Sequence, residues 1–260
     1  MASLTRTDIQ MQVNDCKKSP RICEQLVTMI KQICDAAIDD GIINTNPCRK
    51  IDIPRKKPTE KRALTAEESE AIKTATLPPL EKALLMTLYG TGMRPAEAYA
   101  LTWEDVNFKE HTITVNKALQ FANSKTASVG LPKTDGSVRT IPIPKLTESA
   151  LKDFYNKGGK SNRLTIFGGL NGQLRSRSAY KHLFDVCMRE AFHLQTVKDK
   201  VPITAYSLRH NFCTIALING IDVKTVQYLM GHNTSKMVME VYAHIQSTEN
   251  IKDKIKSLPL

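Results

Sequence analysis

Five side chains spread along the chain are suited to work on a phosphate: Arg94, Lys133, Arg209 and His232, with Tyr242 following closely. Taken singly, each is ordinary. An arginine at a helix start or a lysine in a β-turn is mostly a solvated charge, and a tyrosine on an amphipathic helix is mostly half-buried packing. Their local settings say more. Thr204 reads as an N-cap, which places Tyr206 and Arg209 on one helix face, i and i+3, near the positive end of the helix dipole. That is a natural seat for a phosphate. Gly231 reads as the C-cap of "VKTVQYLM" and leaves His232 in a tight turn before Asn233 or Thr234 caps the next helix.

Other chemistries lack their residues. "GTGMRP" superficially suggests a dinucleotide loop, but it follows a helix instead of a strand and lacks the last glycine. No P-loop, no H-E-x-x-H and no carboxylate cluster with metal spacing is present, so no metal and no cofactor is expected. Six cysteines stand singly at positions 16, 23, 34, 48, 187 and 213. Without a C-x-x-C pair they suggest neither a zinc site nor a secreted disulfide framework, and they read as reduced thiols, mostly in the core.

The chain of 260 residues, 41% hydrophobic, is long enough for one substantial core and a small second domain. Its formal net charge of +11 favours a polyanionic partner, nucleic acid first. No apolar run of 18 residues and no signal peptide is seen, so neither membrane insertion nor export is expected and the cytoplasm is the expected compartment.

The elements that must position the five residues can be placed by period and caps. "RICEQLVTMIKQICDAAIDDG" (21–41) spaces Ile22, Leu26, Ile30, Ile33 and Ala37 by three and four, a helix ended by Gly41. "TRTDIQMQVND" supplies one further short helix, and two helices enclose an incomplete core. "RKIDIPRKKPTEKR" (49–62) holds seven basic and two acidic residues with two prolines, a basic extended linker. It is either a solvated tether or a direct phosphate contact through Arg55, Lys56 and Lys57. A capping box at Thr65 and Glu68 opens a new domain. "PLEKALLMTLYGTG" continues as a buried helix and "RPAEAYAL" as a short one with Pro95 in its first turn. "HTITVNKAL" and "SVRTIPIP" alternate as strands, the second after the turn "KTDGS", so one small antiparallel sheet is expected. From residue 146 the pattern is helical to the end.

The motifs in this order resemble the tyrosine recombinase family, the phage and conjugative-transposon integrases, over roughly 62–245 and more weakly over 20–50. "TGMRPAEAYALTWEDV" is similar to the family's first arginine box, with Arg94 and its following acid Glu97. "LPKTDGSVRTIPIP" resembles the β-hairpin lysine motif, with Lys133. "YSLRHNFCTIALINGID" matches the second box, with Arg209, and "VQYLMGHNTSKMVMEVYAHI" the last, with His232 and Tyr242. One position departs: Tyr206 stands where the family often has histidine, which leaves a hydroxyl hydrogen bond in place of a titrating imidazole.

The resemblance implies a mainly α fold with a small antiparallel β-sheet, a catalytic domain at 63–246. A partial helical core-binding domain at 1–48, the linker at 49–62 and a C-terminal tail helix at 247–260 flank it. It implies a site-specific recombinase that opens a phosphodiester without metal or ATP. Arg94 and Arg209 would take up charge on the non-bridging oxygens, for which a planar guanidinium is suited. Lys133 would protonate the departing 5′ oxygen, His232 would donate to a phosphate oxygen or assist proton transfer, and Tyr242 would be the nucleophile. Implied partners are double-stranded DNA attachment sites and further copies of the chain, dimer to tetramer, joined by exchange of the tail.

Neighbouring residues have plainer readings. His210 follows Arg209 and points about 100° away around the helix, a structural position. Glu97 reads as a buttress that orients Arg94 or His210, since a carboxylate facing a phosphate would repel it. Tyr228, mid-helix without a partner motif, is a poor rival nucleophile. Two other functions stay open: a DNA-binding accessory factor that does not cleave, and a type IB topoisomerase-like relaxing enzyme. Residues 1–58 match only the later part of the family's core-binding domain, which leaves open that the chain is a piece of a longer protein.

Overall fold

The computed structural model describes residues 4–16, 18–53, 63–123, 126–131, 138–160, 162–192, 203–232 and 234–248. Lys133, the basic residues Arg55, Lys56 and Lys57, and the tail beyond 248 lie outside them. The chain divides into two compact units, Met1–Glu60 and Lys61–Leu260.

The first unit is a helix pair. Helix α1 (Arg6–Asp15) opens with a capping box between Thr5 and Asp8, and α2 (Pro20–Asp39) starts with proline in its first turn. The helix read over 21–41 is present, but its spaced apolar residues are not all inward. Cys23, Cys34 and Ala37 are buried, whereas Ile22 and Ile33 are exposed. Helix α1 and the segment after α2, where the buried Asn46 donates to the Lys31 carbonyl at 3.1 Å and to Asp35 Oδ1 at 2.5 Å, cover only part of the twenty-residue helix, and the small residues lie in the covered part. The beginning of the basic stretch belongs to this unit. Arg6 donates to the Lys50 carbonyl at 2.8 Å, and Gln10 exchanges bonds with the main chain of Asp52 at 2.9 and 3.0 Å.

The second unit begins as expected. Oγ1 of Thr65 accepts from the Glu68 amide at 3.2 Å, Glu68 Oε2 accepts from the Thr65 amide at 2.9 Å, and α3 (Ala66–Thr74) follows. Helix α4 (Pro79–Thr91) is apolar on nearly every face and forms the axis of the unit, with Ala83, Leu84, Leu85, Met86 and Leu88 buried. The short α5 (Pro95–Ala100) comes next. Strands β1 (Val106–Asn107), β2 (Thr112–Val115), β3 (Ala118–Phe121), β4 (Ala127–Gly130) and β5 (Arg139–Pro142) are all antiparallel.

They form two sheets, not the single one expected: β1-β2-β5, and the hairpin β3-β4. The stretch read as one strand changes partners after Val115. Lys117 beyond the break is held at Asp105 Oδ1, 2.7 Å, and at Thr102 Oγ1, 3.2 Å.

Helices α6 (Lys145–Phe154) and α7 (Arg177–Ala191) pack on α4 and complete the main core. Helices α8 (Ala205–Ile218), α9 (Val223–Met230) and α10 (Lys236–Thr248) pack on one another around a second core of Cys213, Ala216, Leu217, Val226, Met230, Val238 and Val241. Helix α10 runs unbroken through 246 and 247, where catalytic domain and tail were expected to meet. Among the described residues no helix is long and apolar enough to cross a membrane.

Candidate active site

Two helix ends make the site. Helix α4 stops at Gly92, whose φ of +63° is the left-handed conformation that glycine adopts without strain. A side chain there would also run into the Phe212 ring. Helix α9 stops in the same way at Gly231, φ +60°. Both turns present carbonyl oxygens at a negative helix end, where cations are stabilised.

Arginines occupy those oxygens. The last carbonyls of α9 and its cap are each bound by a different one. Leu229 O accepts from Arg139 Nε at 2.7 Å, Met230 O from Arg209 Nη2 at 2.5 Å, and Gly231 O from Arg94 Nη2 at 2.6 Å. Arg209 also donates Nη1 to the Gly92 carbonyl at 2.6 Å, so it ties the end of α4 to the end of α9. Arg209 is therefore turned inward, with the residue 4% exposed, and does not look out along the first turn of α8 as its capping signal suggested. Thr204 does cap that helix, accepting from the Ser207 amide at 3.1 Å, and Tyr206 is 63% exposed on its first turn.

Glu97 is the anionic counterpart. It is buried, and each of its oxygens accepts from both Arg94 and Arg139. Oε1 takes Arg94 Nη1 at 2.7 Å and Arg139 Nη1 at 3.3 Å, while Oε2 takes the Arg94 amide at 2.8 Å and Arg139 Nη2 at 2.8 Å. Burial alone would raise its carboxyl, but the bonds and charge of Arg139 and Arg94 outweigh that and hold it below the usual range. Of the two residues it was expected to orient, Arg94 is the one it holds. His210 is half-buried, its carbonyl accepting from Thr214 Oγ1 at 3.2 Å.

The residue missed from the sequence is Arg139. It stands opposite Val115 in the β2–β5 pairing, and its side chain is fully buried. The signal was available: in "VRTIPIP" Arg139 has the parity of Ile141 and Ile143, the inward positions of a strand. Tyr228 proves to be a tie, its hydroxyl accepting from the Thr140 amide at 3.2 Å.

His232 follows Gly231 and is fixed at both ends of its backbone by Gln227, through its amide to Gln227 O at 3.1 Å and its carbonyl to Gln227 Nε2 at 3.0 Å. Its imidazole meets Arg209. Burial first, then the charges of Arg209, Arg94 and Arg139, pull its pKa down from 6.5 to about 4. Burial and the charge of Arg94 pull Arg209 down to about 9, still cationic at neutral pH. Three guanidiniums against one carboxylate leave the cluster with surplus positive charge. Arg94, with a third of its side chain exposed, carries that surplus to the surface. Among the described residues no group of His, Cys, Asp and Glu could hold a metal ion. Such a cluster can bind an oxyanion and stabilise charge that develops on it.

Tyr242 sits on α10, which packs against α8 and α9, the helices that supply Arg209 and the turn of His232. It follows the buried Val241 and is 36% exposed.

The sequence profile of the phage integrase family matches residues 62–249. A XerC-like tyrosine recombinase from Caldanaerobacter subterraneus subsp. tengcongensis is 27% identical over 248 residues, which cover 88% of this chain and 63% of that protein. The chain thus spans less than two thirds of that relative. The ICEBs1 integrase of Bacillus subtilis is 25% identical over 267 residues, covering 97% of this chain and 70% of its own length. The Tn1549 transposon integrase, solved in complex with a circular intermediate DNA, shares the fold. Its TM-score is 0.80 at 22% identity, over 99% of this chain and 87% of that one.

Proposed function

This chain is a member of the phage integrase family, and we propose that it is a site-specific DNA recombinase that cuts and rejoins strands through a tyrosine-linked 3′ phosphate, without metal or ATP. The observation that carries this reading is the cationic cluster. Arg94, Arg209 and His232 come from three separate parts of the chain and are bound together at the end of α9, next to the helix bearing Tyr242.

In the proposed reaction the Tyr242 hydroxyl gives up its proton to solvent, its oxygen attacks phosphorus and the bond to the 5′ oxygen breaks. The 3′ phosphate is left on the tyrosine, and the 5′ oxygen takes a proton, a role we assign to Lys133. Attack by a 5′ hydroxyl reverses the step. One phosphate ester replaces another each time, so no external energy is needed. Each guanidinium has five N–H donors. Arg94 directs one to Glu97 and one to the Gly231 carbonyl, and the rest are available to non-bridging oxygens.

Double-stranded DNA is the proposed partner, in keeping with the net charge of +11 and with the DNA-bound Tn1549 integrase of the same fold. Assembly as dimer to tetramer on paired sites, through the segment 247–260, and action in the cytoplasm belong to the same reading.

The test is incubation in EDTA with nicked duplexes that tile the DNA on either side of the gene, followed by denaturing electrophoresis. A protein–DNA band that survives denaturant is expected. Retarded duplex without such a band, or a band that needs magnesium, would overturn the reading in favour of a non-cleaving DNA-binding factor or a metal nuclease. Adducts on every duplex alike would point to a relaxing enzyme.

A further inference from the structure

We propose that Arg139 is a positioning residue of this site: its buried guanidinium clamps the Glu97 carboxylate to the last turn of α9 and thereby fixes Arg94 and His232 relative to each other. The inference rests on the reading of the cluster as the recombinase site.

Arg139 bridges two elements that carry the candidate groups. Its Nη1 and Nη2 bond the two oxygens of Glu97 at 3.3 and 2.8 Å, while its Nε bonds the Leu229 carbonyl at 2.7 Å. Glu97 in turn holds both the amide and the Nη1 of Arg94, and Leu229 stands two residues before Gly231 and three before His232. Nothing of the Arg139 side chain reaches solvent, so it is not placed to touch DNA. Gly231 is packed directly on it: a Cβ there would lie 2.7 Å from Arg139 Nη1. The bidentate hold on the carboxylate together with a third bond in the same plane is geometry that guanidinium has and ammonium lacks. Without Arg139, Glu97 would be a buried carboxylate with Arg94 as its remaining cation. It would then draw that arginine inward or take up a proton, and either change weakens the placement of Arg94.

The experiment compares Arg139→Gln, Arg139→Lys and the double variant Arg139→Gln with Glu97→Gln in single-turnover cleavage of the nicked duplex and in equilibrium binding. Arg139→Gln is expected to lower the cleavage rate about 10- to 100-fold, as loss of a supporting partner does, with affinity changed by less than about 2-fold. In the Glu97→Gln background the same substitution is expected to cost less than about 3-fold, because the group it acts through is already gone. Arg139→Lys should recover only part of the rate. Full recovery by lysine, additive losses in the double variant, or equal losses in rate and affinity would each overturn the clamp.

A second readout needs no cleavage. Long-range 1H–15N spectra of the DNA-free protein report the His232 tautomer, expected to be fixed with the proton on Nδ1 in the parent and mixed in Arg139→Gln. If that variant does not fold, Arg139→Lys takes its place in both measurements. An unchanged tautomer would overturn the proposal. A parent protein that forms no adduct would instead count against the recombinase reading, and the tautomer would still decide the role of Arg139.

Discussion

Nη2 of Arg209 lies 2.7 Å from Nε2 of His232. An arginine can only donate, so Nε2 accepts and the proton of the neutral imidazole is on Nδ1. That atom is buried and has no hydrogen-bond partner among the described residues. The DNA-free site therefore holds a histidine that cannot yet donate through Nε2. A phosphate among the arginines would change this, since a nearby anion favours the protonated ring.

The first prediction follows from the depressed pKa of His232, about 4 in the folded protein against 6.5. Between these values the unfolded chain binds more protons, so the stability that the neutral ring contributes is complete above pH 6.5 and is lost as pH falls through about 4. Thermal melts over this window should show a steeper fall in Tm for the parent than for His232→Gln. Equal slopes would mean that the ring is protonated in the folded state.

Arg94→Ala and Arg209→Ala should each slow single-turnover cleavage by about 100-fold or more, the scale of removing one charge-stabilising donor. Binding should fall less. Parallel losses in rate and affinity would mean that these arginines only hold the DNA backbone.

Gly231→Ala combines two faults, a left-handed backbone that costs roughly 1–2 kcal/mol for other residues and a Cβ pressed on Arg139. The melting temperature should drop by several degrees, and cleavage by the still-folded protein should fall more than 10-fold, as expected when a supporting group moves. Parent-like cleavage by Gly231→Ala would show that the turn tolerates displacement.

What was legible in the sequence was local. Thr65 with Glu68, Thr204, and the glycine that ends α9 each act within a few residues, so these caps and their helices could be placed by reading along the chain. Arg94, Arg209 and His232 were singled out through the order of their motifs, and they meet at the end of α9. Their partners were not legible: the carbonyls bound by Arg94 and Arg209 stand 137 residues away for the first and 117 and 21 for the second, and His232 stands 23 residues from Arg209. Arg139 was passed over because a charge in a strand reads as solvated, although its parity with Ile141 pointed inward. Which positions of α2 are covered was not legible for a related reason: periodicity shows which residues are apolar, while the elements packed on the helix decide which are buried.

The basic stretch before the second unit gives a prediction of its own. Replacing Arg55, Lys56 and Lys57 with glutamine should flatten the salt dependence of DNA binding, because every phosphate that is no longer neutralised keeps its condensed counterion, which lowers the slope by about one. An unchanged slope would make this stretch a tether only.

The central claim is that Tyr242 is the nucleophile, and the most direct measurement is to isolate the denaturant-stable adduct formed in EDTA, digest it and sequence the nucleotide-linked peptide. The expected result is a 3′ nucleotide on Tyr242, with Tyr242→Phe binding the duplex as the parent does and giving no adduct. A nucleotide on any other residue, or an adduct formed by Tyr242→Phe, would contradict the account.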